Sequence, residues 1–234
     1  MTDFVLVHGA WHGGWCWRRV ADILRTRGHH VTTPTMTGLG ERSHLLSSEI
    51  TLTTFGEDIR MHLEFEDLSD VVLVGHSFGG SPISYAAECA PARVQRLVYF
   101  DAQVVRGGET PGSCAPPEAF ALREQMARDH DDGLSLPPPP AEAMGVLEAA
   151  DAAWIERMMT PHPWRTFTTP LQIEGPPGAG KLCRYIACVE PDYTPLHWAR
   201  ERARDLGWPM DEIAAGHDAM VTAPEALADL LERA

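Results

Sequence analysis

Nowhere is this sequence apolar for the roughly 20 residues that a membrane-spanning helix requires. Its N-terminus, MTDFVLVHGA, has neither a basic lead nor a small-residue cleavage site. The five cysteines (Cys16, Cys89, Cys114, Cys183 and Cys188) contain no Cys-x-x-Cys pair. An odd number without a leader points to reduced, mostly buried thiols, and so to a cytoplasmic protein. Positive charge is scarce: 19 Lys and Arg stand against 33 Asp and Glu, for a formal charge of −14. A surface of that sign repels nucleic acid and anionic membranes, although a local pocket can still hold a small anion. There is no HExxH and no His/Cys/Asp grouping with ligand spacing, so no metal and no other cofactor is expected. No internal repeat is visible, and nothing decides between a monomer and a homodimer.

The 234 residues, 44% of them hydrophobic, suit one domain with a substantial core, or one domain carrying an insertion. Strand and helix signals alternate. Phe4–Val7 is a short apolar run, and Trp17, Val20, Ala21 and Leu24 then recur at helical spacing up to Gly28. His30–Thr33 reads as a second strand. A helix over about 52–67 is introduced by Thr54 and Glu57 at capping-box spacing. Val71–Val74 is apolar without alternation, as in a strand buried on both faces. A helix near Phe78 and a strand at Leu97–Phe100 follow. Residues from about 103 to 177 then carry most of the prolines, with helical pieces at Glu118–Arg128 and Ala149–Met159. Alternation resumes with strands at Arg184–Val189 and Met210–Ala214, a helix at His197–Asp205 between them, and a last helix with Thr222 and Glu225 at capping-box spacing.

Such alternation predicts an α/β fold, a mostly parallel sheet flanked by helices. The irregular third reads as a lid inserted between the strand ending near Phe100 and the one beginning near Arg184. The core is then 1–102 with 182–234, and the lid 103–181. Ligands in these sheets sit beyond the C-terminal strand ends, so every loop that follows a strand is a candidate site.

Two glycine-rich stretches compete for that role. GPPGAGKL, 175–182, is one residue from a nucleotide-binding P-loop, but Leu182 stands where Ser or Thr should hold Mg²⁺. Pro176 and Pro177 also lack the N–H groups that would wrap a phosphate, and LCRYIACV reads as a strand where a helix should follow. The stretch is better read as the exit from the lid. GHSFG, 75–79, has a strand before it and a helix after it, the setting in which G-x-S-x-G presents a nucleophile. The sharp turn needs both glycines and lifts the Ser77 hydroxyl off the sheet.

A serine hydroxyl needs a base. Of eleven histidines, His217 in EIAAGHDAM follows the last strand, where the Ser…acid…His chain order of this architecture puts it. His29, His30, His44, His62, His130, His162 and His197 read as solvated or structural. The loop HGAWHGG after the first strand can bring backbone N–H groups to a substrate oxygen, and Ala10 with Phe78 would supply two such donors. His8 reads as holding this loop by hydrogen bonds, and Trp11, Trp15 and Trp17 as core or pocket wall. The acid should follow the penultimate strand, which favours Asp192; Asp101, ending LVYFDA, and Glu190 remain open.

FVLVHGAWHGGWCW with GHSFGG resembles the α/β-hydrolase superfamily, in the branch of plant methyl esterases and hydroxynitrile lyases, and TGLGERSHL resembles its bacterial esterases. The likeness covers about 3–102 and 182–233. It implies a serine esterase without a cofactor, a small apolar pocket under the lid, Ser77 as nucleophile, His217 as base, and Ala10 and Phe78 as oxyanion donors. The plant acid position falls on Pro191, and a one-residue gap is needed to reach Asp192. The lyase branch carries Thr and Lys where this chain has Gly9 and Asp218, which weakens that reading. The expectation is hydrolysis of a small carboxylic ester or lactone through an acyl-enzyme. A cofactor-free cyclase or lyase using the same pair, and a slow-turnover small-molecule receptor, are the alternatives.

Overall fold

A computed structural model describes residues 1–234. Six parallel strands form the main sheet: β1 (Asp3–Val7), β2 (His30–Thr32), β3 (Val71–His76), β4 (Val94–Phe100), β7 (Leu182–Cys188) and β8 (Met210–Ile213), in the order β2-β1-β3-β4-β7-β8. Helices α1 (Arg18–Thr26), α2 (Leu52–Phe65), α3 (Gly80–Cys89), α7 (His197–Asp205), α8 (Ala219–Thr222) and α9 (Pro224–Arg233) cover it. Between β4 and β7 lie α4 (Pro117–Asp131), α5 (Ala149–Met158), α6 (Arg165–Thr168) and a two-stranded ribbon of β5 (Ser135–Leu136) and β6 (His162–Pro163).

The apolar runs are uninterrupted because both sheet faces are buried. Val5, Leu73, Leu97 and Tyr99 enter one core with α2, α3 and α7, while Phe4, Leu6, Val72, Val74 and Phe100 enter the other with α1 and α9. The 103–181 segment feeds both. Trp164 and Phe167 join the first core, and Val146 and Ile155 the second.

Two helix starts differ from the sequence reading. The first is capped by Thr51, which exchanges hydrogen bonds with Thr54, while Glu57 binds Arg60 and the Tyr85 hydroxyl. The last has no side-chain cap: Thr222 closes α8 and Glu225 pairs with Arg27. The remaining strands and helices fall within a few residues of their expected places. After Lys181 the chain enters β7 directly, and the Lys181 ammonium donates to the Pro91 carbonyl, so 175–182 is a strand approach and not a phosphate cradle.

All five cysteines are free, with Cys16 and Cys188 buried and Cys89 exposed. No helix is long and apolar enough to cross a membrane. The strand order reverses direction between β1 and β3, which opens a crevice where the loops after these two strands meet.

Candidate active site

Ser77 sits between β3 and α3 with φ 53°, a left-handed conformation that a residue with a β-carbon holds only when its surroundings impose it. The imposition is steric. A β-carbon on Gly75 would lie 2.7 Å from the Gly79 carbonyl oxygen, and one on Gly79 would lie 2.7 Å from that of His8. Glycine at both positions lets β3, the turn and the β1 loop approach this closely. The Gln103 N–H, beyond β4, holds the Ser77 carbonyl at 2.9 Å.

His217 reaches the serine from the loop after β8. Its Nε2 is 2.9 Å from Ser77 Oγ, and its Nδ1 is 2.6 Å from Asp101 Oδ2. With the Nδ1 proton donated to the carboxylate, Nε2 presents a lone pair to the serine hydroxyl. Asp101 is fully buried and follows β4 with φ 38°, which turns its carboxylate across the end of β7. Its Oδ1 accepts from Arg200 Nη2 at 2.9 Å and from the Cys188 N–H at 3.4 Å. Burial works against the Arg200 charge, but Asp101 and Asp192 outweigh it and hold the guanidinium above its ordinary pKa.

Asp192, the expected partner of His217, is elsewhere. Its Oδ2 takes a hydrogen bond from His197 Nε2 at 2.5 Å and its Oδ1 binds Arg200. Past Cys188 the chain folds back through a bridge between Val189 and Asp192, which carries the Asp192 carboxylate toward α7 and leaves it partly exposed. Glu190 is exposed, and its carboxylate has no partner. The structure therefore brings Asp101 to the imidazole, and neither of the residues after β7.

Ala10 and Phe78 line one cavity with Ser77. The Ala10 N–H donates to no protein acceptor although the residue is buried. Trp11, at φ 64°, reverses the chain immediately after it. His8 Nδ1 bonds the Gly9 carbonyl and its Nε2 accepts from the Met36 N–H. Burial pushes the His8 pKa down to about 3, which keeps the ring neutral, as an accepting Nε2 requires.

Several buried groups behind this arrangement were not singled out by sequence. His12 Nδ1 faces the Ala10 carbonyl at 2.7 Å and its Nε2 faces Asp218 Oδ2 at 3.0 Å. Both nitrogens thus meet oxygen acceptors, the environment of an imidazolium. Burial opposes that charge, but the Asp218 carboxylate wins and raises the His12 pKa, while His12 in turn lowers that of Asp218 against its own burial. His76, whose pKa burial lowers strongly, donates from Nε2 to the His217 carbonyl at 3.0 Å. Tyr193 stacks on the His217 ring at 3.8 Å between centroids and 13° between planes. His162, read from sequence as ordinary, packs on Phe78 at 4.7 Å. One signal was available: Arg200 lies on the buried face that Ala199 and Ala203 define in α7, and a cation there needs an acid partner.

The cavity at Ser77 measures about 30 Å³, and Trp11, Gln103, Phe167, Tyr193 and Leu196 complete much of its wall. His76, His217 and Asp218 lie within metal-ligating distance of one another. Both His217 nitrogens are engaged by Ser77 and Asp101, however, and His12 occupies one Asp218 oxygen, so the group does not offer three free ligands.

A profile of the alpha/beta hydrolase family matches residues 4–230. A carbendazim-hydrolysing esterase of Nocardioides sp. (strain SG-4G) is 39% identical over 99% of this chain and 98% of its own length. A pyrethroid hydrolase of Sphingobium wenxiniae is 28% identical over 99% of this chain and 86% of its own. Among solved structures, an extracellular alpha/beta-hydrolase from a Paenibacillus species, described as sharing structural and functional homology with tobacco salicylic acid binding protein 2, superposes with a TM-score of 0.85. It is 25% identical and covers 100% of this chain and 99% of that one.

Proposed function

The chain belongs to the α/β-hydrolase family and is a carboxylic ester hydrolase, and we propose that it cleaves small esters or lactones by acyl transfer to Ser77. The observation that carries this reading is the hydrogen-bonded chain from Ser77 Oγ through His217 to Asp101. Ser77 attacks the carbonyl as His217 Nε2 takes its proton, and the Ala10 and Phe78 N–H groups receive the oxyanion. His217 returns the proton to the leaving alcohol and then draws one from water, which releases the acid. Asp101, not Asp192, fixes the tautomer of His217 and stabilises its cationic form. In this reading 1–102 and 182–234 form the catalytic core and 103–181 the lid that covers it. The protein works on a small molecule in the cytoplasm, with free thiols and no cofactor.

The test is Ser77→Ala. It should lower kcat on an activated ester by something on the order of 10⁴- to 10⁶-fold. Intact-protein mass spectrometry of the wild type after rapid mixing should show an acyl adduct that the variant lacks. Full turnover by Ser77→Ala removes the proposal, and turnover by the wild type through no adduct replaces acyl transfer with acid–base chemistry.

A further inference from the structure

Two donors at this site have nothing to donate to. Three of the four tyrosine hydroxyls are hydrogen-bonded: Tyr85 to Glu57, Tyr99 to Ser84 and Tyr185 to the Ala102 carbonyl. The hydroxyl of Tyr193, the residue stacked on His217, meets no protein partner. Arg123 is exceptional in the same way. In this acidic chain Arg19, Arg27, Arg60, Arg184, Arg200 and Arg202 all sit on carboxylates. Arg96 and Arg233 bind only backbone carbonyls, those of Ala234 and Asp229. The arginines whose side chains meet no protein acceptor at all are Arg18, Arg106, Arg157 and Arg204, which are exposed, and Arg123, which is half-buried. With 33 acidic residues available, a partly desolvated guanidinium without any acceptor is a vacancy in the charge pattern.

The two unmatched donors converge. Arg123, on the middle of α4, and Tyr193 both line the cavity at Ser77, and both line a second cavity of about 280 Å³ that adjoins it. Leu122, Met126, Leu136 and Pro137 make that second chamber apolar. Burial pushes the Tyr193 phenol up to about 12, with the Arg123 charge opposing the rise, as expected of neighbours. The seam between the catalytic cavity and the apolar chamber therefore carries a cationic fork and a hydroxyl with free protons. That is the donor set that recognises a carboxylate, by charge-assisted and bidentate hydrogen bonds.

We propose that Arg123 and Tyr193 form a carboxylate subsite, and that the preferred substrates are carboxylic esters bearing a second, free carboxylate across a short apolar spacer. This rests on acyl transfer at Ser77. The spacer lies against the aliphatic wall while the distal carboxylate meets the guanidinium, which places the ester carbonyl toward Ser77.

The test compares p-nitrophenyl hexanoate with the mono-p-nitrophenyl ester of adipic acid, which replaces the terminal methyl by a carboxylate. The wild type should favour the anionic ester in kcat/KM. Arg123→Gln should lower the anionic-to-neutral ratio of kcat/KM by roughly 10- to 100-fold, mainly through KM, as the loss of a charge-assisted bond implies. Arg123→Lys should restore part of it, and Tyr193→Phe should cost the anionic ester a few-fold. Free adipate should inhibit the wild type more strongly than uncharged hexanamide and lose that advantage in 0.5 M NaCl, about where screening removes a partly exposed pair. This arm needs no variant to fold. An unchanged ratio in Arg123→Gln, or equal inhibition by adipate and hexanamide, overturns the subsite. If the wild type cleaves neither ester, acyl transfer has failed instead, and the subsite is then read from whether adipate raises the melting temperature more than hexanamide does.

Discussion

Replacing Asp101 by asparagine tests the site at the point where the structure departs from the sequence. The Asp101 Oδ1 accepts from Arg200 Nη2, Arg200 Nε and the Cys188 N–H, all donors, while Oδ2 faces His217 Nδ1. An asparagine placed there must therefore turn its amide oxygen to Arg200 and its NH₂ to His217. That NH₂ donates to Nδ1, drives the ring proton to Nε2, and points a proton at Ser77 where a lone pair is needed. The same wrong-tautomer error lowers kcat about 10⁴-fold in serine proteases, which is about 5 kcal/mol of barrier. Arg200 keeps Asp192 and the Cys188 carbonyl, so the loss of folding stability should stay near the low end for a broken buried pair, about 3 kcal/mol. Asp192→Asn is the control. Its carboxylate is 39% exposed, so about 0–1 kcal/mol of stability and less than about threefold in kcat are expected. Steady-state kinetics on an activated ester, with urea unfolding of each variant, reads both quantities. A folded Asp101→Asn protein that keeps more than about a tenth of wild-type kcat, or an Asp192→Asn protein that loses about a hundredfold, refutes the reasoning.

The buried histidines set two pH limits. His8, His76 and His162 all have pKa values lowered chiefly by burial, so the unfolded chain takes up protons that the folded one refuses. Their contribution is present above pH about 6.5 and drains as pH falls, by up to about 1.4 kcal/mol per pH unit for each ring, and His162→Gln should flatten the loss in urea midpoint between pH 6.5 and 4.5. An unchanged slope in a folded variant would count against this account. His12 has the opposite sign. Its raised pKa gives stability that is full below pH about 6.5 and is lost as pH rises through the folded value, so Asp218→Asn should remove part of the alkaline fall in melting temperature.

Much of the fold was legible because the residues that build it signal locally. β3 is apolar and buried on both faces, α7 spans the residues its periodicity predicts, and the two glycines of GHSFG announce a turn that geometry explains atom by atom. The identity of the residue opposite His217 was not legible. Asp101 and Asp192 follow neighbouring parallel strands, β4 and β7, and both lie beyond the C-terminal ends of those strands. What separates them is the fold-back after Cys188 and the positive φ at Asp101, and neither has a signature in composition or spacing. Helix starts were misread for a related reason, since Thr51 and Thr54 offer competing cap signals three residues apart. The His12–Asp218 pair joins residues 206 positions apart, a distance over which no periodicity carries information.

The cavity at Ser77 shares Trp11, Arg123, Tyr193 and Pro195 with the apolar chamber beside it, so one wall serves both spaces. Arg123 reaches that wall from α4 and Tyr193 from the turn after β7. Ala10 and Phe78 border the cavity at Ser77 alone, and Leu122 and Met126 the chamber alone. Changes at the first pair should therefore act on the reacting end of an ester, and changes at the second on its distal end. Turnover and selectivity are separately adjustable in this fold, on either side of one shared wall.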